Sequence, residues 1–152
     1  VFESALRNGV RRVVFASSIH ADVYPDIGRN PRARTDETPV PGSLYGADKV
    51  FGEAMARYFA ALGLETVAVR FGGVSRRDVP PASDSIERAV FLSHRDCVSL
   101  VQRCIDANDI AGNYACVNAV SDNKDRWHDL DNPFGWAPQD SDTRRLTEVS
   151  ES

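Results

Sequence analysis

Tyr45 and Lys49 are the residues whose types and spacing most directly suggest chemistry. They lie four residues apart in "LYGADKVFGEA", and residues i and i+4 share one face of a helix. A phenol titrates at about 10, so it acts as a base at neutral pH only where a positive charge favours the phenolate. An adjacent ammonium supplies such a charge. The pair is therefore a candidate acid–base device, and the alternative is a packed tyrosine beside a solvated lysine.

The rarity of lysine favours a specific role for Lys49. The chain has 2 lysines against 16 arginines, so it nearly always uses arginine where it needs a cation. An ammonium is a compact charge whose pKa responds to its surroundings, and a planar guanidinium cannot imitate it.

Ser18 adds a hydroxyl to this pair. The run "RRVVFASS" is short, apolar and rich in β-branched residues, which predicts a strand buried on both faces with Ser18 at its carboxyl end. Ligands of open α/β sheets bind at the carboxyl ends of the strands. Ser18 is thus expected to hold a substrate oxygen while Tyr45 exchanges its proton.

The elements that position these residues follow a strand–helix–strand order. An amphipathic helix opens the chain and ends near Gly9, and the first strand and a polar loop follow it. The run "LYGADKVFGEAMARYFAALG" then predicts a long helix, and "LETVAVRF" predicts a second buried strand, which together imply a parallel sheet. The long helix carries an approximate apolar stripe of Val50, Phe51, Ala54, Tyr58 and Leu62. Further along, "HRDCVSLVQRCIDAND" predicts a helix and "NYACVNAV" a third strand.

Size and charge limit the class of protein. The 152 residues suggest one domain, and the net charge of -4 with a pI of about 5.3 argues against nucleic acid or an anionic membrane as a partner. No apolar run approaches the ~20 residues of a membrane span. The three cysteines lack metal-ligand spacing, so we expect no metal site and reduced thiols in a cytoplasmic protein.

The ends of the chain carry two expectations. The chain begins at Val1 inside a helical pattern with no N-cap before it, so we expect a fragment whose first helix starts outside this sequence. We expect the catalytic domain to cover residues 1–141, and the polar residues 142–152 to form a disordered tail.

The segments "VVFASS", "YGADK" and "VAVRFGG" together resemble the extended short-chain dehydrogenase/reductases, the NAD-dependent epimerase/dehydratase family. The resemblance covers roughly residues 1–141. It implies an α/β fold: the C-terminal part of a Rossmann-type doubly wound parallel sheet, lacking the first βαβ units. It also implies NAD or NADP as cofactor and Ser18, Tyr45 and Lys49 as catalytic residues. Tyr45 would be the acid–base, Lys49 would bind the nicotinamide ribose and favour the phenolate, and Ser18 would orient the reacting carbinol.

Other segments resemble the uronate dehydrogenase-like branch of this family, namely "FASSIHADVYP", "RFGG", "FLSHRDCVSLV" and "FGWAPQDS". This resemblance implies that Phe71 and Gly72 lie near the nicotinamide. It also implies that Ile19, His20 and Gly73 lie near the substrate. Arg88 is either a ligand of a substrate carboxylate or a solvated helix arginine.

Two departures from the family pattern keep alternatives open. The glycine-rich turn for the pyrophosphate is absent from this sequence, and "RFGGVSRR" lacks the Asn that epimerases carry after this strand. The expected function is an NAD(P)-dependent oxidoreductase acting on a sugar or sugar acid. The alternatives are a nucleotide-sugar epimerase or dehydratase, and a catalytically inactive remnant. The resemblance also implies a homodimer formed by the helices within residues 1–8 and 50–62.

Overall fold

The computed structural model describes residues 1–22, 33–82 and 85–143. Three strands and three longer helices alternate along the chain. They are α1 (Phe2–Arg7), β1 (Arg12–Ser18), α2 (Leu44–Ala61), β2 (Glu65–Phe71), α3 (His94–Asp106) and β3 (Tyr114–Ala119). Short 3₁₀ helices cover Ile19–Ala21, Ile86–Val90 and Ala111–Asn113. Each element predicted from the sequence is therefore present.

The strands form one parallel sheet in the order β1-β2-β3. Ser18 pairs with Phe71, and Phe71 pairs with Ala119, so the carboxyl ends of all three strands meet at one edge. The predicted parallel α/β sheet is confirmed. This edge is where a ligand site of an open α/β sheet lies.

The central strand β2 is covered on both faces because its side chains alternate between two layers. Val67 and Val69 belong to the same buried core as Leu100 of α3. On the other face, the Thr66 hydroxyl donates to the Ala56 carbonyl of α2 at 3.0 Å. The continuous apolar run of β2 therefore forms a strand that is buried on both faces, as predicted from the sequence.

Two expectations about burial were wrong. The strand β1 is only half-buried up to Phe15, exposed at Ala16 and buried at Ser17 and Ser18, because it lies at the edge of the described sheet and pairs there with β2 alone. In α2 the predicted apolar stripe is not the buried face, since Phe51, Tyr58 and Leu62 are exposed. The residues of α2 that are buried instead are Gly46, Glu53, Ala56, Phe59 and Ala60.

The C-terminal segment packs against the sheet and α3. Phe134 and Trp136 are buried in the main core, and the Trp136 indole N–H donates to Ser99 Oγ at 2.9 Å. Asp142 is buried and contacts Arg88, so the folded part continues past residue 141. Residues 144–152, which make up most of the expected tail, lie outside the described residues.

The three cysteines make no disulfide bond in this structure. Cys97, Cys104 and Cys116 are all free, and burial raises the pKa of the Cys104 thiol to about 12. Within the described residues, the helices are too short or too polar to cross a membrane.

His128 is expected to make the stability of this chain depend on pH. Its ring is buried, and Nδ1 has no hydrogen-bond partner among the described residues. Burial, together with Arg70 and Arg126, lowers the pKa of His128 to about 4. The pKa of an unfolded histidine is about 6.5, so between pH 6.5 and pH 4 only the unfolded chain binds the proton. The contribution of the neutral His128 to the free energy of unfolding is therefore complete above pH 6.5. It is lost as the pH falls towards 4, and the loss amounts to roughly 3 kcal/mol in all.

Urea unfolding at pH 7.5 and pH 5 measures this effect. We expect the loss of stability between these pH values to be about 2 kcal/mol smaller in His128→Asn than in the parent. Equal losses in the two proteins would show that His128 does not carry the dependence.

Candidate active site

An open cavity of about 510 Å³ lies at the carboxyl edge of the sheet. Its size suits a small organic ligand. The lining residues come from the ends of β1 and β2, the start of α2 and the 3₁₀ helix Ile86–Val90. They are Ser17, Ser18, Ile19, His20, Tyr45, Phe71, Gly72, Gly73, Val74, Ser75, Pro81, Glu87 and Val90. The cavity thus contains every predicted site residue except Lys49 and Arg88.

Ser18 is the last residue of β1 and is only 5% exposed. Its Oγ accepts a hydrogen bond from the His20 backbone N–H at 3.2 Å, which caps the following 3₁₀ helix. Because this bond uses a lone pair of the oxygen, the hydroxyl proton stays available to a ligand in the cavity.

Tyr45 lies in the first turn of α2. Ser43 caps this helix by accepting from the Gly46 N–H at 3.1 Å. The Tyr45 side chain is half exposed at the cavity, and its ring meets the His20 ring edge-on with centroids 5.7 Å apart. The helix start therefore presents the phenol to the same space as Ser18.

Two glycines of α2 allow this approach. A Cβ on Gly46 would lie 2.1 Å from the His20 carbonyl oxygen, and a Cβ on Gly52 would lie 2.2 Å from the Phe15 ring. Only glycine lets α2 pack so closely against β1 and the turn after it. Glycine within a helix costs about 1 kcal/mol relative to alanine, so two of them in this helix were a signal of close packing that the sequence analysis missed.

Lys49 lies one turn after Tyr45, behind its ring. The Nζ atom donates to the Ala16 carbonyl of β1 at 2.8 Å and is 5.4 Å from the centroid of the Tyr45 ring. It is 5.6 Å from the Phe15 ring centroid. The ammonium and the phenol ring are therefore neighbours, as the i,i+4 spacing predicts, although Lys49 is not part of the cavity lining.

Phe71, Gly72 and Gly73 continue from β2 into the cavity wall. The Gly72 N–H donates to the Ala119 carbonyl and the Gly73 N–H to the Val90 carbonyl, both at 2.8 Å. A Cβ on Gly72 would lie 2.3 Å from the Val90 oxygen. This wall is built from backbone held close to the segment that leads into α3.

Arg88 is neither solvated nor in the cavity. Its side chain is 13% exposed, and Nε donates to Asp142 Oδ2 at 2.6 Å. The two terminal nitrogens donate to the carbonyl oxygens of Asp142 and Pro81. The ion pair with Asp142, 54 residues away, holds the guanidinium in the fold, so the structure does not bring Arg88 to the other predicted substrate residues.

The sequence analysis also missed a buried ion pair next to the cavity residue Ser17. Glu53 of α2 accepts two hydrogen bonds from Arg70 of β2, at 2.9 and 2.8 Å, and a third from the Ser17 hydroxyl at 2.5 Å. Burial works against the Arg70 charge, but these bonds to Glu53 raise the pKa of Arg70 above its usual value. The pair joins α2 to β1 and β2 directly beside Ser18.

No group of three or more His, Cys, Asp or Glu side chains that could hold a metal ion occurs within the residues described. The polar groups that the described residues give to the cavity wall are hydroxyls, backbone groups, the His20 imidazole and one carboxylate, that of Glu87. This set suits hydrogen bonding to a polyol and proton exchange at a carbinol.

Comparison with known proteins identifies the family. A profile of the NAD dependent epimerase/dehydratase family matches residues 1–81, and the chain belongs to this family. The family expected from the sequence is therefore confirmed.

Individual relatives are dehydrogenases of sugars and sugar acids. The chain is 34% identical to an NAD-dependent glucose-6-phosphate dehydrogenase and 33% identical to an L-arabinose 1-dehydrogenase (NAD(P)(+)), both from Haloferax volcanii. Each alignment covers 93% of this chain, and 58% and 63% of the two relatives. The crystal structure of uronate dehydrogenase from Agrobacterium tumefaciens superimposes with a TM-score of 0.81 at 32% identity, over 99% of this chain and 55% of that one. The chain thus spans little more than half the length of the relatives it matches.

Proposed function

We propose that this chain forms the catalytic part of an NAD(P)-dependent dehydrogenase that oxidises a sugar or sugar acid at its anomeric carbon. The observation that carries the proposal is the arrangement of Ser18 and Tyr45 in one cavity, with the Lys49 ammonium beside the Tyr45 ring. The relatives named above act on glucose 6-phosphate, L-arabinose and uronates according to their names, which supports the reaction class.

The residues present fit the nicotinamide end of the cofactor. The Lys49 ammonium offers donors and the Tyr45 oxygen an acceptor for ribose hydroxyls, and Phe71 and Gly72 form an adjoining wall of the cavity. The sequence contains no glycine-rich turn for a pyrophosphate. We therefore assign to this chain the nicotinamide and substrate contacts, and not the pyrophosphate contacts.

The proposed chemistry divides between two hydroxyl groups. When bound, NAD or NADP supplies the acceptor for the hydride that leaves the sugar carbon. The Ser18 hydroxyl donates a hydrogen bond to the anomeric oxygen and so orients it, and Tyr45 Oη takes the proton of the anomeric hydroxyl. The carbon–oxygen bond becomes a carbonyl, and the product of a cyclic sugar is a lactone. The Lys49 ammonium lies beside the ring whose oxygen takes the proton, with Nζ 5.4 Å from the ring centroid.

The test of this proposal is NADH or NADPH formation by the protein at its full natural length. Free aldoses and uronic acids should give reduced cofactor, and nucleotide sugars should give none. Interconversion of nucleotide sugars without net reduction of cofactor would overturn the proposal in favour of an epimerase.

Replacing Lys49 by methionine is expected to lower kcat and to weaken cofactor binding together, because the proposal gives the ammonium two partners, the ribose and the Tyr45 ring, whose centroid is 5.4 Å away. Lys49→Arg should restore part of both losses but not the full rate, because a planar guanidinium cannot reproduce the contacts of a compact ammonium. Rates at saturating cofactor and a titration of the cofactor by fluorescence provide the measurements. A loss of cofactor binding with kcat unchanged at saturation in Lys49→Met would show that the two residues do not work as one device.

We also propose that the protein forms a homodimer through the outer face of α2. Phe51, Tyr58 and Leu62 give this face an exposed apolar surface. Such a surface on one helix suits packing against the same helix of a second copy.

A further inference from the structure

Glu87 places a negative charge in the cavity. It lies on the 3₁₀ helix Ile86–Val90, lines the cavity and is exposed. Its backbone N–H is bound by Ser85 Oγ, but its carboxylate has no ion-pair partner among the residues that the structure describes. The charge of Glu87 is therefore not neutralised by a neighbouring side chain of this part of the chain.

The described part of the cavity wall contributes no cation to offset this charge. Among the described residues, none of the lining side chains is an arginine or a lysine. Arg88, the next residue along the helix, is held by Asp142, and the Lys49 ammonium is bound to the Ala16 carbonyl. Arg76 and Arg77 follow the lining residue Ser75 but are exposed and do not line the cavity.

From this charge distribution we infer that the substrate is a neutral aldose, and that Glu87 determines the preference over uronates. The inference rests on the proposed function and names the substrate class of the same site. A carboxylate is recognised by arginine or by several donors directed at it, and the described residues of this wall include neither a guanidinium nor an ammonium. The hydroxyls of a neutral sugar, in contrast, donate well to the Glu87 carboxylate.

The size of the cavity makes the repulsion of an anion effective. A cavity of about 510 Å³ is roughly 10 Å across if it is taken as a sphere, which does not exceed the Debye length of about 10 Å at 0.1 M salt. A substrate carboxylate in this space would therefore feel the Glu87 charge only partly screened. We expect a cost of about tenfold in affinity for the anion.

Matched sugar pairs test this inference. D-galactose with D-galacturonate, and D-glucose with D-glucuronate, differ only in a hydroxymethyl or a carboxylate at C6. For each pair, kcat/KM is measured in the protein at its full natural length, and binding is measured separately by NMR titration without turnover. We expect the aldose to be favoured at least about tenfold. In Glu87→Gln, the ratio of uronate to aldose kcat/KM should rise by about tenfold.

Asp109→Asn is the matched control, because it removes one exposed carboxylate that does not line the cavity. It should leave the ratio unchanged. A uronate preferred in the parent, or a ratio that does not move in Glu87→Gln, would overturn the inference. Binding of the aldose over the uronate without any turnover would uphold the inference and overturn the proposed dehydrogenase. Failure of both sugars to bind would overturn both.

Discussion

Tyr45→Phe is expected to lower kcat by about a thousandfold in the protein at its full natural length, since positioned acid–base groups contribute roughly 10²–10⁴. The substitution removes only the hydroxyl that would take the substrate proton. The phenylalanine ring keeps the size needed for the edge-on contact with His20, at a centroid distance of 5.7 Å, so the cavity wall should stay in place. Cofactor affinity should change by less than about threefold, a loss in kcat without a loss in binding.

Tyr58→Phe is the control for this experiment. Tyr58 lies on the same helix but is exposed and outside the cavity, so its kcat should stay within about twofold of the parent. Steady-state rates of cofactor reduction and a cofactor titration by fluorescence provide the measurements. If Tyr45→Phe retains more than a tenth of the parent rate, Tyr45 is not the general base.

The sheet and most of the cavity could be predicted because their signals are local. Continuous apolar runs of six to eight residues predict buried parallel strands, and the four-residue spacing of Tyr45 and Lys49 predicts a shared helix face. The end of β1 is also a local feature, and it locates Ser18 at the carboxyl edge of the sheet. These features do not depend on which distant residues pack against them.

The position of Arg88 could not be predicted, because its partner is distant in the sequence. Arg88 and Asp142 are 54 residues apart, and no spacing rule relates them. An arginine on a short helix beside a cavity has the same local pattern whether it faces a ligand or an internal carboxylate. The expectation for Arg88 therefore rested on the chemistry of its side chain alone. The position of the side chain is determined by its packing against Asp142.

The buried face of α2 was predicted wrongly for a related reason. The apolar residues Phe51, Tyr58 and Leu62 suggested the inner face, but they are exposed. Apart from Phe59, the inner face instead carries small residues and Glu53, because α2 lies very close to β1 and buries an ion pair. A polar residue that is satisfied by a partner on another element does not show in the hydrophobic pattern.

This ion pair is a strong constraint on the fold beside the site. Arg70 is 2% exposed, and Glu53 binds both Nε and Nη2 of its guanidinium. Asp22 lies 3.9 Å from the Arg70 guanidinium and is the only other carboxylate paired with it among the described residues. Leaving one member of a buried pair without its partner is more costly than replacing both by apolar residues, because the remaining charge stays desolvated.

Glu53→Gln is therefore expected to lower the free energy of unfolding of this chain by about 3–5 kcal/mol. Glutamine keeps the shape of the side chain but leaves the Arg70 charge compensated only by the more distant Asp22. Urea unfolding followed by circular dichroism measures the change.

Glu37→Gln, which removes an exposed carboxylate 4.0 Å from Arg34, is the matched control and should lower the free energy of unfolding by less than about 1 kcal/mol. The double variant Glu53→Leu/Arg70→Met should recover most of the lost stability, because it removes both charges of the pair and leaves neither one buried without its partner. A double variant that is less stable than Glu53→Gln would show that the pair itself, and not the uncompensated charge, is what stabilises the packing of α2 on the sheet.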